Sequence, residues 1–537
     1  RSMERRAPAA TPHAIIYRTT DPLPPAPRRS TRPAGLLAVA GVALALLLYR
    51  PWEGRPFAIL DFSEFLPLLR GHTGFAARLG ALVHYYLFEH GRLNLASYVA
   101  LAAKWTVLGA DPIRWQWARF IEMGMLVGAT YWLLRRLGAD AIGAAAAAAL
   151  FICGHTAEDG WMRLTMGEPL GLLFLLAAAV VADRYLRTTD QWRAPVIAVL
   201  VVLAILAKEM LFGAVPFVVL VAVARDAEGR LAWPRLDRRT RALLVWVTAG
   251  TGVALAAVAW AARGVGAAGF SASYGATSVS ASRYLSLWQQ IITPTGVRPG
   301  LATWLLPANL MLLAVCGAGI RLAWRDPLAR VHLRLVLALG AGLPAIGAAL
   351  YLPWPYFNLF YGLPFLVGPA LVLATAVTSL RASGGGPAMA AGAGVAVLIA
   401  FASASAGRTA RNDATRQQVD GAVAAALPGR AVDSILVIEP FLPQQAWQGT
   451  GPTLVRYAVA MGLAPHLPPA IDITCDEAAR MLSTGPGRDL FIADSYCCGR
   501  LRAVDQRILG VYGYLDLPGL RFATDTIEAD LVGPAAP

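Results

Sequence analysis

Residues 194–225 read APVIAVLVVLAILAKEMLFGAVPFVVLVAVAR. Two apolar runs are interrupted once, by Lys208 and Glu209, at the place where the chain must turn back on itself. Runs this apolar cannot face water on any side, so the pair reads as two membrane helices joined by a charged corner. Working outward, similar runs occupy about 34–49, 114–134, 139–154, 169–185, 242–262, 301–321, 332–352, 357–379 and 387–405. With the two quoted runs they predict a mainly α polytopic bundle of about eleven spans. The composition agrees: 57% hydrophobic residues, 15% charged and a mean hydropathy of +0.53 exceed what one aqueous core can hide. The same figures, with only 5 Cys, exclude a disordered chain, a collagen-like fibre and a disulfide-dense scaffold.

The formal charge of +14 could suit nucleic acid, but its distribution suits a membrane better. Residues 1–33 form a proline-rich basic arm, and the run at 34–49 reads as an anchor rather than a cleaved signal. With that arm in the cytoplasm, Arg135, Arg136, Arg184, Arg187, Arg193, the cluster from Arg225 to Arg241, and Arg321, Arg325, Arg330 and Arg334 all fall in inner loops. That is the bias that orients insertion, and an odd number of spans then puts the C-terminal end in the periplasm.

Three stretches lie outside the spans. Within an outer loop at about 51–113, residues 75–109 are apolar but broken by His84, Glu89, His90, Arg92 and Lys104. They read either as helices at the outer interface or as a hairpin of two further spans, which preserves the topology. A second outer loop is expected at about 263–300. From about 406 to 537 the chain gains charge: a polar helix pattern, the strand-like runs SILVIEP and DLFIADSY, and a helix pattern around DEAARML predict a small periplasmic α/β domain. Cys475 could pair there with Cys497 or Cys498, or all three stay unpaired.

Ionisable groups beside lipid are costly and so carry the functional signal. Four sets fall on the outer side. Asp61 and Glu64 stand three apart in DFSEF; His155, Glu158, Asp159, Arg163 and Glu168 crowd the turn after Cys153; Lys208 and Glu209 form the corner; Arg283 and Arg298 interrupt the second outer loop with Tyr274 and Tyr284. Helix capping, ion pairing or snorkelling accounts for each alone. Together they supply carboxylates able to take a proton from a hydroxyl and cations able to stabilise a phosphate, which points to an anionic substrate at the membrane surface.

The order of RRLGADAIGAAAAAALFICGHTAEDGWMRLTMGEP, AILAKEMLFGAVPFVVL, SRYLSLWQQIITPTG and YFNLFYGLPFLVGPAL, behind an acid soon after the first span, resembles the GT-C superfamily of membrane glycosyltransferases. The likeness is to bacterial relatives of protein O-mannosyltransferases, over roughly residues 34–405. The resemblance implies transfer of a sugar from a polyprenyl-phosphate donor to a glycan, lipid or protein acceptor hydroxyl, with inversion, at the outer face of a bacterial cytoplasmic membrane. It implies Asp61 as catalytic acid with Glu64 as a second, either of which could be the base. Lys208, Arg163 and Arg283 would hold the carrier phosphate, and His155, Glu158 and Glu209 match the family's short outer turn and its Lys-Glu corner. Some branches use a divalent metal; none is expected here, since the outer loops show no ligand cluster beyond these acids. No cofactor and no nucleic-acid partner are expected, and no G-x-x-x-x-G-K-[ST] phosphate loop is present. Competing readings are an O-antigen ligase or polymerase, which would favour arginines in the large outer loop; a transporter, which would favour charges mid-span and broken helices; and a noncatalytic scaffold.

Overall fold

A computed structural model of the chain describes residues 32–53, 65–187, 192–223, 237–263, 279–295, 301–353, 359–426, 435–439, 470–474, 477, 480, 490–494 and 508–512. Asp61, Glu64, Tyr274, Arg298, Cys475, Cys497, Cys498 and nearly all of the basic arm lie outside the described residues.

The helices are α1 (Arg32–Tyr49), α2 (Phe65–Arg70), α3 (Phe75–His84), α4 (Leu95–Leu108), α5 (Pro112–Arg136), α6 (Ala141–Cys153), α7 (His155–Met162), α8 (Glu168–Arg187), α9 (Arg193–Ala207), α10 (Val215–Val223), α11 (Arg238–Arg263), α12 (Ala281–Ile292), the single turn α13 (Leu301–Trp304), α14 (Pro307–Arg325), α15 (Pro327–Tyr351), α16 (Val367–Ala382) and α17 (Gly385–Ala426). A π turn (Tyr85–Glu89) extends α3, and 3-10 turns at Glu209–Ala214 and Leu359–Leu366 lead into α10 and α16. The starts are written in the sequence. Asp111 ahead of Pro112 caps α5, accepting from the Ile113 N–H at 2.9 Å; Asp140 caps α6 and Ser280 caps α12 in the same way.

Every expected span is helical, but the count of eleven is not met. Among the described residues six helices are long and apolar enough to cross a membrane: Glu168–Leu186, Arg238–Arg263, Pro307–Arg325, His332–Tyr351, Phe360–Ala382 and Gly385–Arg411, with α6 and α7 together a seventh as one broken span. The physical reason is length: the apolar parts of α1, α9 and the Glu209–Val219 segment run only 10–17 residues, short of the about 20 that hydrocarbon requires. Helix α5 is long enough but diluted by Arg114, Gln116, Arg119 and Glu122. Helix α4 is likewise too short to cross.

Small residues set the packing. The alanine-rich α6 is buried along almost its whole length, and a Cβ at Gly143 would lie 2.6 Å from the Ala374 carbonyl of α16. Gly319 of α14 meets the backbone of Ala376 on the same helix still more closely. At one end of this core Asp140 ties α6 to α16, pairing with Arg381 and accepting a hydrogen bond from Thr378 Oγ1 at 3.4 Å.

Between α6 and α7 the axis bends by 59° at Gly154, whose extended backbone stops the helix. A break inside an apolar bundle frees carbonyls that no water can satisfy. Two are met by side chains: Trp161 Nε1 donates to the Phe151 carbonyl at 2.8 Å and the Tyr49 hydroxyl to that of Ile152 at 2.5 Å, with the two rings stacked 4.9 Å apart.

The boundary expected near residue 406 falls inside a helix. Helix α17 runs 42 residues without a break, because the polar pattern after Gly407 continues the helical path of the apolar one. Beyond it, β1 (Ile435–Glu439), β2 (Ala470–Thr474), β3 (Leu490–Asp494) and β4 (Ile508–Tyr512) form a parallel sheet in the order β2-β1-β3-β4. At the end of β2, Thr474 and Glu477 make a reciprocal cap, and the Thr474 N–H and hydroxyl hold the Glu477 carboxyl below the usual carboxylate range.

Close helix contact makes a prediction. Gly319→Val should cost about 1–3 kcal/mol through overpacking against Ala376, whereas Gly317→Ala, which meets open space, should be neutral or mildly stabilising. Thermal unfolding of the detergent-solubilised variants checks both.

Candidate functional site

The corner between the two quoted runs is built as follows. Helix α9 ends at Ala207, Lys208 takes an extended backbone (φ −156°, ψ 118°), and the chain re-enters a 3-10 turn at Glu209. Stepping out of the helix turns the Lys208 side chain inward rather than toward lipid, and its Nζ lies 3.2 Å from Glu168 Oε1. Glu168 is the first residue of α8, where the positive end of the helix dipole favours a carboxylate. The pair is largely closed off, at 14% and 2% side-chain exposure.

Two glycines permit this approach. A Cβ on Gly167 would strike Ser97 Oγ and the Ala207 carbonyl, and one on Gly171 would strike Leu211. Ser97 Oγ itself donates to the Ala207 carbonyl at 2.6 Å, tying α4 to the corner.

An aromatic floor lies beside the ion pair. The Lys208 ammonium sits 5.0 Å from the Tyr361 ring centroid. Tyr361 stacks on Tyr351 at 5.0 Å and meets Phe360 edge-on at 4.3 Å. Phe360 in turn lies 5.0 Å beneath the Arg163 guanidinium, and Arg283 Nε donates to the carbonyl of Leu352, next to Tyr351, at 3.1 Å. Cations expected from three separate sequence motifs therefore border one aromatic cluster. Arg163 and Lys208 border it through cation–π contact, and Arg283 through the Leu352 carbonyl.

Glu209 and Arg92 are further electrostatic neighbours of Lys208, and both also neighbour Tyr98. Tyr98 stacks on Tyr86 at 5.0 Å, and Tyr86 packs against Phe65 at 5.2 Å. Phe65 directly follows Glu64 in the sequence.

His155 and Glu158 sit deeper, at 5% and 4% exposure, on α7, which packs behind the turn that carries Phe360 and Tyr361. The His155 N–H donates to the Pro294 carbonyl at 3.1 Å. Among the described residues no group of three or more His, Cys, Asp or Glu is gathered as metal ligands would be.

Three features leave little or no mark in the sequence. The pairing of Glu168 with Lys208 is one, since nothing in the sequence links residues 40 apart. Tyr361 lay in a quoted aromatic run with no sign of which ring would face a cation. Lys104, Arg119 and Glu122 form a buried cluster, and the Arg-Glu spacing of three on an apolar helix was the available signal.

The helix connections put this site at one end of the bundle. Arg136, Arg187, Arg193 and Arg325 terminate helices at the other end, where Asp140 pairs with Arg381. The chain is thus a multi-pass helical membrane protein whose charges are sorted between two ends.

No protein-family model matches the chain, and no curated protein matches it. Among solved structures it is similar to the arabinofuranosyltransferase AftD from Mycobacteria, at 17% identity and a TM-score of 0.44 over 90% of this chain, which spans 35% of the other. It is also similar to ArnT from Cupriavidus metallidurans bound to undecaprenyl phosphate, at 11% identity and a TM-score of 0.48 over 88% of this chain and 95% of that one. A third is an Archaeoglobus fulgidus oligosaccharyltransferase, at 11% identity and a TM-score of 0.44 over 80% of this chain and 64% of that one. Likeness at these levels gives no residue of this chain its role.

The ion pair makes its own prediction. Glu168→Gln leaves the Lys208 ammonium buried without its partner and should cost about 3–5 kcal/mol, while Glu168→Gln with Lys208→Met should recover much of that loss. Melting temperatures of the single and double variants decide it.

Proposed function

We propose that the chain is a GT-C-type membrane glycosyltransferase that moves a sugar from a polyprenyl-phosphate donor to an acceptor hydroxyl, with inversion, at the outer face of a bacterial cytoplasmic membrane. The observation that carries the reading is the gathering of Lys208, Arg163 and Arg283 around Tyr351, Phe360 and Tyr361, beside the buried Glu168. A phosphate at headgroup level meets three cations there, and its polyprenyl chain stays among the helices.

In the proposed reaction a carboxylate of Asp61 or Glu64 takes the acceptor's hydroxyl proton. The acceptor oxygen bonds to the sugar's anomeric carbon from the face opposite the phosphate. The bond from that carbon to the phosphate oxygen breaks, and polyprenyl phosphate leaves with its new negative charge met by Lys208, Arg163 and Arg283. Side-chain cations supply the charge a metal would otherwise provide, so no metal is included. Support for the two acids comes from Phe65: the residue after Glu64 packs on Tyr86, one ring from Tyr98 and its neighbours Glu209, Arg92 and Lys208. Glu209 and Arg92 line the same region, while His155 and Glu158 brace the aromatic turn from behind. The outer side is proposed for this end of the bundle because the arginine-rich helix ends lie at the other.

The bend between α6 and α7 favours a second reading, transport of a lipid-linked sugar, since broken helices recur where carriers bind their cargo.

Purified protein in nanodiscs, given a panel of polyprenyl-phosphate sugars and acceptors, separates the two. Glycosyl transfer is expected; flux across proteoliposomes with no covalent product supports transport instead. Asp61→Asn should abolish turnover with donor binding retained, and Lys208→Ala should weaken donor binding by roughly 10–100-fold, the value of a charge-assisted contact. Full activity of Asp61→Asn moves the base to Glu64, and full activity of both single variants and the Asp61→Asn/Glu64→Gln double variant rejects the mechanism.

A further inference from the structure

We propose that Arg119, supported by Glu122 and Lys104, is a positioning residue that fixes the turn at residues 163–168 and, through it, both Arg163 and Glu168. The claim about geometry stands alone; its consequence for donor binding rests on the function proposed above.

Arg119 lies in the second turn of α5, about 10 Å along the axis from Pro112, and is 1% exposed. Its Nη2 donates to the carbonyls of Leu164 at 2.8 Å and Met166 at 3.1 Å. Its Nη1 lies 3.2 Å from Glu122 Oε2, and Lys104 Nζ from α4 reaches the same oxygen at 2.7 Å. Two cations and one carboxylate have thus been withdrawn from water, an arrangement that packing alone would serve better with apolar side chains.

What the guanidinium provides is two nitrogens in a fixed plane: Nη2 meets two backbone carbonyls that belong to no helix, while Nη1 faces Glu122. The segment they come from joins α7 to α8, with Arg163 on one side of Leu164 and Glu168 two residues past Met166. Its other flank is pinned by Gly167 against Ser97 and the Ala207 carbonyl. Between the two supports is a small crevice lined by Ser97, Lys104, Glu122, Leu164, Thr165 and Met166. The turn is therefore held from α4, α5 and α9 at once. Lysine in place of Arg119 keeps the charge but has one nitrogen on a different reach, and cannot hold the carbonyls and Glu122 Oε2 from the two positions that Nη2 and Nη1 occupy.

The test uses the full chain in nanodiscs with Arg119→Gln and Arg119→Lys. Maleimide labelling at Thr165→Cys reads the turn directly. Both variants should raise its rate about tenfold, the scale of losing a charge-assisted hydrogen bond. Binding of undecaprenyl phosphate should weaken by a similar factor, and combined with Lys208→Ala the two losses should amount to less than their product, since both act through one site. Unchanged labelling in both variants, or losses that multiply in full, overturns the positioning role. Should Arg119→Gln not fold, Arg119→Lys carries the same readings. Should the unsubstituted protein bind no undecaprenyl phosphate, the proposed function fails while the labelling still decides the role of Arg119.

Discussion

A lysine at the margin of hydrocarbon is tolerated only where another group answers its charge, and the Lys208–Glu168 pair is the point from which the rest of this site is organised. To make it, α9 must stop one residue early, α8 must begin at Glu168, and the glycines at 167 and 171 must let the two backbones close. The aromatic floor follows from the same demand: Tyr361 gives the ammonium a second favourable surface without a second negative charge. The site is thus less a set of reactive groups placed on a scaffold than the outcome of neutralising one buried cation.

Its mirror is the other end of the bundle. There Asp140 serves as helix cap, ion-pair partner to Arg381 and acceptor for Thr378, residues about 240 positions later in the chain. One end uses polar contacts to close the helices together, and the opposite end uses them to keep cations beside an aromatic surface. Between them the alanine-rich α6 is buried along almost its whole length and keeps the helices close from one end to the other.

Much of this was legible in the residues. The apolar runs marked the long helices, though not the short α2, α7 or α12, and the Lys208-Glu209 interruption marked the corner because it breaks an otherwise apolar stretch. Span number differs from the expectation because hydropathy reports how apolar a stretch is but not where its helix ends: Gly154 cuts α6 short and Lys208 leaves α9 at 15 residues. The strand-like runs SILVIEP and DLFIADSY became β1 and β3, while in β2 and β4, AIDIT and ILGVY, Asp472 and Gly510 interrupt the apolar run that made the other two stand out. Pairings across long sequence separations, Glu168 with Lys208 or Arg119 with the 164–166 carbonyls, leave no trace in composition or period. They exist only once the helices have been packed.

Helix α17 starts beside the Asp140–Arg381 end and runs 42 residues, about 63 Å at 1.5 Å per residue, roughly twice the thickness of a hydrocarbon core. Its far half is a post standing on the side of the Lys208–Glu168 corner, with the parallel sheet beyond it in the chain. Height and azimuth on such a post are set by residue count alone. Each added residue lifts what it bears by about 1.5 Å and swings it by about 100°, whereas eighteen residues raise it by about 27 Å and return it to the same bearing.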